Sequence, residues 1–423
     1  MSEGQFGVND DKTIVSLFSG IGGFELGARA SGLGTSLACE IEPNAQSVLR
    51  EHFPQTELHA DVSALRSLPK SFAVTAGFPC QNLSLVGDNS GITGRDTKIV
   101  FDLFKLLEKS KNHEWLVLEN VPFMLWQRKG EAIRFVTETL REIGYRWAYR
   151  VVDARASGIP QRRRRVIIVA SRKHDPRSVL FCDDTSAPEW ISDNGKLPCG
   201  FSWTEGRYGI GWAPNCVPTI KGGSSVGVPS PPAIWFRNKG LIGTPDIADA
   251  ERLQGFAANW TSSATGPRGQ LGARWKLVGN AIPVGLTNWV FRRLAAPGPE
   301  AIEFATNPWT SRVWPNAAYD VGNGVMKVEI GEFPEALPGI GIDDFLNFPI
   351  KPLSERASRG FLKRAREGKL KFVDGFMKTI ERKKNSPNFI WKTLKKIKNK
   401  FFYKIHLILI SNLKLCREVE LEC

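Results

Sequence analysis

From residue 13 the chain alternates short apolar runs with longer stretches of helical periodicity. Residues 13–18 (TIVSLF), 37–40, 72–77, 115–119 and 166–170 (VIIVA) are strand-length runs of apolar and β-branched residues. Between them, residues 24–30, 44–52, 98–109 and 131–143 place apolar side chains at helical spacing. Strand-length runs separated by helices predict a parallel sheet with crossover helices, an α/β doubly wound fold. Past residue 171 the texture shifts to Gly, Pro, Ser and Trp, as in Gly222-Gly223-Ser224-Ser225 and Pro229-Ser230-Pro231-Pro232. That composition predicts a small, loop-rich second domain. Helical patterning resumes at residues 247–253 and 283–294, weakens over 295–350, and returns with strong positive charge over 352–384. The expected organisation is a first domain at 12–170, a second at 171–270, a return to the first at 271–296, and an extension from 297 to 423 that is basic from 351.

Composition narrows the class. At 423 residues, 42% hydrophobic and 24% charged, the chain has the balance of a globular protein with ample length for a core. Its longest apolar runs, such as residues 405–410, fall far short of the roughly 20 residues of a membrane-spanning helix. The polar, acidic first eleven residues do not read as a secretion signal, so the expectation is a protein inside the cell, in the cytoplasm or nucleoid of a bacterium. Seven cysteines without CxxC spacing argue against a disulfide framework and against a zinc site. The net charge of +14 points to an anionic partner, but its distribution qualifies this: residues 351–410 hold 18 Lys/Arg against 4 Asp/Glu. Nucleic-acid binding by the main body must therefore rest on local clusters.

The chemistry gathers after the predicted strands. Phe18-Ser19-Gly20-Ile21-Gly22-Gly23-Phe24 joins a strand to a helix through glycines that let backbone approach a ligand. It is not the GxGxxG dinucleotide fingerprint, because Glu25 stands at the third glycine position. Glu40 closes the next strand and could bind ribose hydroxyls; Asp61 follows the third unit and could accept from an adenine amino group. Either acid alone is equally a helix cap. Gly77-Phe78-Pro79-Cys80-Gln81 puts a thiol after a strand, at the sheet edge where open α/β folds bind ligands, and Glu119-Asn120-Val121-Pro122 ends another strand at that edge. A thiol and a carboxyl group converging there suit a nucleophile and its acid partner. In Gln161-Arg162-Arg163-Arg164-Arg165 the strand period turns Arg163 and Arg165 one way and Arg162 and Arg164 the other, so one pair can face the cleft.

These motifs, joined by RLQGF at residues 252–256 and GNAIP at 279–283, resemble in order and approximate spacing the DNA (cytosine-5)-methyltransferase family, over about residues 12 to 294. The resemblance implies a Rossmann-like sheet, a small target-recognition domain, and a C-terminal helix that returns beside the cofactor. It implies Cys80 as nucleophile, Glu119 as acid partner, and Arg163 and Arg165 as contacts to the target nucleotide and its phosphate. It implies Phe18, Gly20, Ile21, Gly22, Glu40, Asp61, Pro79 and Asn280 as the S-adenosylmethionine site, and Arg252 as a support for the recognition domain. The chain departs from the family's pattern at Arg95-Asp96 and at Ala257, where Arg-Gly and a proline are common.

What the resemblance implies is methyl transfer to carbon 5 of a cytosine flipped out of duplex DNA, by a monomer. Base flipping is required because the reacting carbons are inaccessible in the stack. A cognate restriction nuclease and the target sequence are not legible in one chain. Two other functions fit parts of the pattern. An RNA cytosine-5 methyltransferase would share the catalytic set, but its characteristic Cys-Phe-Thr triplet is absent; a silent DNA-binding relative would lack Cys80 or Glu119, and both stand.

Overall fold

A computed structural model describes residues 9–79, 95–193, 195–223, 229–264, 271–299, 304–368 and 370–382. The first unit is β1 (Asn9–Leu17), α1 (Gly23–Ala30), β2 (Leu33–Cys39), α2 (Pro43–His52) and β3 (Glu57–His59). It continues with β4 (Ser71–Ala76), α3 (Arg95–Lys109), β5 (His113–Asn120), α4 (Glu131–Glu142), β6 (Arg146–Asp153), the two-residue β7 (Gln161–Arg162), β8 (Arg164–Ser171) and the single turn α5 (Arg177–Leu180). β4 is buried along its whole length, and β5, β6 and β8 nearly so, which is why they read as continuous apolar runs rather than alternating ones.

The five strands β3-β2-β1-β4-β5 are parallel, and the chain turns from one side of β1 to the other between β3 and β4. That switch opens a crevice beyond the carboxyl ends of β1 and β4. The expectation of parallel strands fails at β8, which runs antiparallel to both β5 and β6. The ten residues between β6 and β8 are too few for a crossover helix, so the chain must fold back on itself.

A second, antiparallel sheet is built from β9 (Cys199–Phe201), β10 (Ala213–Pro214), β12 (Ala233–Phe236) and β13 (Leu241–Thr244), while β11 (Val217–Pro218) pairs with β7 instead. After it come α6 (Ile247–Arg252), α7 (Leu271–Asn280) and α8 (Val284–Ala295), the last of which packs on α1. This contact is tight: a side-chain carbon at Gly27 would collide with Thr287, whose hydroxyl donates to the Gly23 carbonyl at 2.8 Å.

The C-terminal part is not the separate extension expected from residue 297. β14 (Thr306–Pro308), β15 (Ala317–Asp320) and β16 (Met326–Val328) join the large sheet, with β15 antiparallel to β6, and complete ten strands. The fully buried Arg150 of β6 holds the following segment, donating to the Gly331 carbonyl at 2.8 Å and pairing with Asp184 at 2.7 Å. After the turn α9 (Ile342–Phe345), β17 (Lys351–Pro352) pairs with β13 at the edge of the second sheet. Helices α10 (Glu355–Glu367) and α11 (Phe376–Arg382) then close over that sheet, burying Phe361 and Phe376 against Phe201 and Trp235. Among the described residues no helix is long and apolar enough to cross a membrane.

Candidate active site

The crevice floor begins where β1 ends. Phe18 adopts a left-handed backbone (φ 57°), a strained conformation for a bulky residue that costs on the order of 1–3 kcal/mol and clusters at functional sites. Gly20 is also left-handed (φ 58°), and a side chain built there would meet nothing within 4 Å. The turn therefore presents bare backbone to open space. Gly22, likewise left-handed at φ 90°, faces Phe53 instead. Ile21 is fully buried with Leu49, Phe256 and Leu277, and its carbonyl accepts from Trp260 Nε1 at 2.8 Å. Ile21 thus has no exposed surface in the crevice.

Glu40, after β2, ties the turn down: its carboxylate accepts from the Gly20 amide and the Glu42 amide, each at 2.8 Å. Burial raises its pKa against those hydrogen bonds. A carboxylate has about four acceptor positions, so two remain for hydroxyl groups. Asp61 caps the short helix at 62–64, accepting from the Ser63 amide at 2.9 Å, and its exposed side chain stands beyond the end of β3. Both readings of Asp61, cap and ligand, are geometrically compatible. Asn280 is exposed at the end of α7, with its amide against Gly222.

On the other side of the crevice, β4 runs into Gly77, Phe78 and the exposed Pro79; Cys80 lies outside the described residues. The residues just before it are anchored by Asn120. Asn120 Nδ2 donates to the Phe78 carbonyl at 3.0 Å, and Asn120 Oδ1 accepts from the Val121 amide at 2.9 Å. Glu119 pairs through Oε1 with Arg165 Nε at 2.5 Å, both side chains largely buried. Its other oxygen, Oε2, faces Gly77: a side-chain carbon there would lie 3.4 Å away. The carboxylate is thus held by one oxygen and directed by the other toward Gly77, three residues before Cys80. The other described cysteines are unsuited to attack. Burial pushes the thiols of Cys39 and Cys216 up to about 12 and that of Cys199 to about 11, and raises Cys182 as well.

The arginine run alternates as the strand period requires, but the inward pair does not face a free cleft. Arg163 is fully buried and donates to the carbonyls of Ile220 (2.9 Å), Gly279 (3.0 Å) and Ala281 (2.6 Å). Both its terminal guanidinium nitrogens are engaged by protein backbone, so here Arg163 clamps the GNAIP turn, where the sequence predicts a contact to the target nucleotide. Arg165 is occupied by Glu119. Outward-facing Arg164 pairs with Glu332.

Two residues that sequence reasoning passed over complete the clamp. Gln161 donates through Nε2 to the Leu253 carbonyl at 2.6 Å and accepts through Oε1 from the Ile220 amide at 3.0 Å. Gln254 donates to the Val278 carbonyl at 2.8 Å and accepts from Gln161 at 3.1 Å. Both stand inside the motifs already singled out, and an uncharged amide amid apolar or cationic neighbours was the available signal. QRRRR, RLQGF and GNAIP thus form one buried polar knot. At its centre Gly279 packs so closely on Gly222 that any side chain on it would overlap the backbone of residues 221–222. Arg252 reaches the other way, to Asp249 at 2.6 Å and the Phe345 carbonyl at 2.7 Å, fixing the segment that leads into β17.

A strained glycine turn, two acids after successive strands and a strand-end carboxylate thus gather at one switch point, where open α/β sheets bind ligands. The family model for C-5 cytosine-specific DNA methylase matches residues 12–194. The Type II methyltransferase M2.BsuMI of Bacillus subtilis (strain 168) is 44% identical over 383 residues, 88% of this chain and 98% of that protein. M.BsuFI of Bacillus subtilis is 31% identical over 188 residues, 44% of each chain. The solved S. pombe Dnmt2 methyltransferase aligns with a TM-score of 0.50 at 16% identity, over 67% of this chain and 98% of that one, a likeness of fold. The chain belongs to the C-5 cytosine-specific DNA methylase family. It is a DNA (cytosine-5)-methyltransferase, with S-adenosylmethionine as methyl donor and DNA as substrate.

Proposed function

We propose that Cys80 is the nucleophile that adds to carbon 6 of a flipped-out cytosine and Glu119 the group that stabilises the resulting ring. The observation that carries this reading is the divided carboxylate of Glu119, one oxygen on Arg165 and the other facing Gly77. Carbon 5 of cytosine is a poor nucleophile. Addition of the Cys80 thiolate to carbon 6 pushes the ring electrons toward carbon 5 and nitrogen 3, where Glu119 supplies a hydrogen bond or proton. S-adenosylmethionine, when bound, supplies the electrophilic methyl group that carbon 5 attacks. Loss of the carbon 5 proton to a base then lets the sulfur leave, restoring the ring double bond and the thiolate.

The residues present fit that methyl donor. The bare backbone of Phe18 to Gly22 would run beneath it, Glu40 would take its ribose hydroxyls and Asp61 its adenine amino group. Pro79 and Asn280 would line the opposite wall. The second sheet with its C-terminal helices acts as the target-recognition domain. Similarity to enzymes named Type II methyltransferases supports a role in protecting DNA from a cognate restriction nuclease; on this reading the protein works inside the cell, and as a monomer.

DNA carrying 5-fluorocytosine tests the assignment, because fluorine cannot leave as the proton does and the adduct persists. The wild-type protein should form a denaturation-resistant complex. A Cys80→Ser protein that still traps would sink the reading.

A further inference from the structure

Tyr208 is 98% exposed, the most exposed of the large hydrophobic side chains described. It sits at the tip of a loop, residues 203–211, whose base is closed by the Ser202 amide donating to the Ile210 carbonyl at 2.7 Å. The rest of the loop is held firmly, and held from far away in sequence. Arg364 of α10 donates to the Glu205 carbonyl at 3.1 Å and to the Trp203 carbonyl at 2.8 Å. The end of the same helix lies directly on the loop: a side chain at Gly368 would come within 2.5 Å of the Gly206 and Arg207 carbonyls. Gly206 takes φ 142°, a conformation that suits glycine and lets the loop pass 3.1 Å, measured from a would-be side-chain carbon, from Arg364. Ion pairs Arg207–Glu367 and Lys221–Glu205 fix its flanks.

The loop also has a definite address. A side-chain carbon at Gly211 would stand 3.9 Å from Arg162, in the motif whose next residue clamps Gly279 and Ala281. Lys221 adjoins Gly222, which touches Asn280. The rigid base of the loop therefore lies where the second sheet meets the crevice. A side chain 98% exposed adds nothing to the fold by burial, whereas a tyrosine on a stiff support supplies contact area, a ring face and a hydroxyl to a partner at little entropic cost.

We propose that loop 203–211 reads bases of the target DNA through Tyr208, with α10 as the buttress that fixes its position. The proposal rests on the second sheet being the recognition domain, and makes the C-terminal segment part of the specificity apparatus. Arg364 is on this view a positioning residue.

The test uses the full-length enzyme on plasmid DNA, read by methyl-transfer rate and base-resolution bisulfite sequencing, with wild type defining the site. A wild-type protein that methylates no cytosine would count against the catalytic reading, not against this loop. Tyr208→Ala should lower kcat/KM at the wild-type site by roughly tenfold or more, as expected for loss of a base contact, and extend methylation to sites differing by one base. S-adenosylmethionine affinity and Tm should stay as in wild type. Arg364→Met, with Tyr208 intact, should broaden the sites in the same direction. Wild-type rate and sites in Tyr208→Ala, or a uniform loss over all sites with unchanged preference, would overturn the proposal.

Discussion

Two buried charges show how differently the chain uses similar groups. Glu119 is divided between Arg165 and Gly77; on the proposed reading, Glu119→Gln should slow methyl transfer about 100-fold or more while leaving DNA affinity within a factor of a few, measured by single-turnover rates and binding titration. Equal losses in both would contradict its role. Arg163 makes its hydrogen bonds to backbone carbonyls. Arg163→Met strands three buried carbonyls and should cost about 3 kcal/mol or more in urea unfolding, whereas Arg164→Met, at a half-exposed pair, should cost about 1 kcal/mol or less. Glu25 of α1 is a third case: fully buried near Ser16 and Ser19, its pKa is raised to about 7, mainly by desolvation. The folded protein holds that proton more tightly than the unfolded chain, whose value is 4.5, so stability is fully present below about 4.5 and falls as pH rises through about 7. Glu25→Gln should flatten that slope. A wild-type Tm that does not fall from pH 5 to pH 8 more than the variant's would refute it.

At the scale of elements, the first half of the fold was legible because its strands are buried on both faces and its helices bury one stripe. β6 escaped notice because Arg146, Arg150 and Asp153 interrupt its apolar run, and only the structure shows that Arg150 and Asp153 are satisfied internally. The short strands β14 to β16 carry too few residues for periodicity, and β15 finds its partner more than 160 residues upstream in β6. Likewise Glu40, Asp61 and Glu119 could be placed at the strand ends from the sequence, but not that Arg163 turns to the backbone of another motif. The helical signal after residue 352 was visible with Phe361, Leu362, Phe372 and Phe376 as its apolar face; that it belongs to the second sheet was not. Truncation after Ile350 would remove Phe361 and Phe376, and burial of one such ring is worth about 3–5 kcal/mol. We expect that truncated protein to be insoluble or to lose the second sheet in limited proteolysis. A soluble form methylating the wild-type sequence would show otherwise.

For the whole molecule, the positive charge begins before the described architecture ends, at residue 351 against residue 382. The first 350 residues carry 37 basic and 36 acidic groups, and residues 383–410 carry 8 lysines and no acid. A chain ending at Arg382 keeps both sheets and should methylate the same sequence, but bind all DNA more weakly and with a shallower dependence on salt, since each neutralised phosphate adds roughly 0.9 to that slope. A changed sequence preference in bisulfite reads would contradict this division. The return of β17, α10 and α11 to a sheet begun at residue 199 also sets a schedule for synthesis. At about 5–20 residues per second, a ribosome needs several seconds to pass from the end of α8 to the end of α11. Through that interval the nascent chain holds the parallel strands and glycine turn of the crevice, while Phe201 and Trp235 still lack the helices that cover them. The crevice and the second sheet therefore mature in that order, and a premature stop between residues 296 and 375 yields a chain whose second sheet never gains all the helices that cover it.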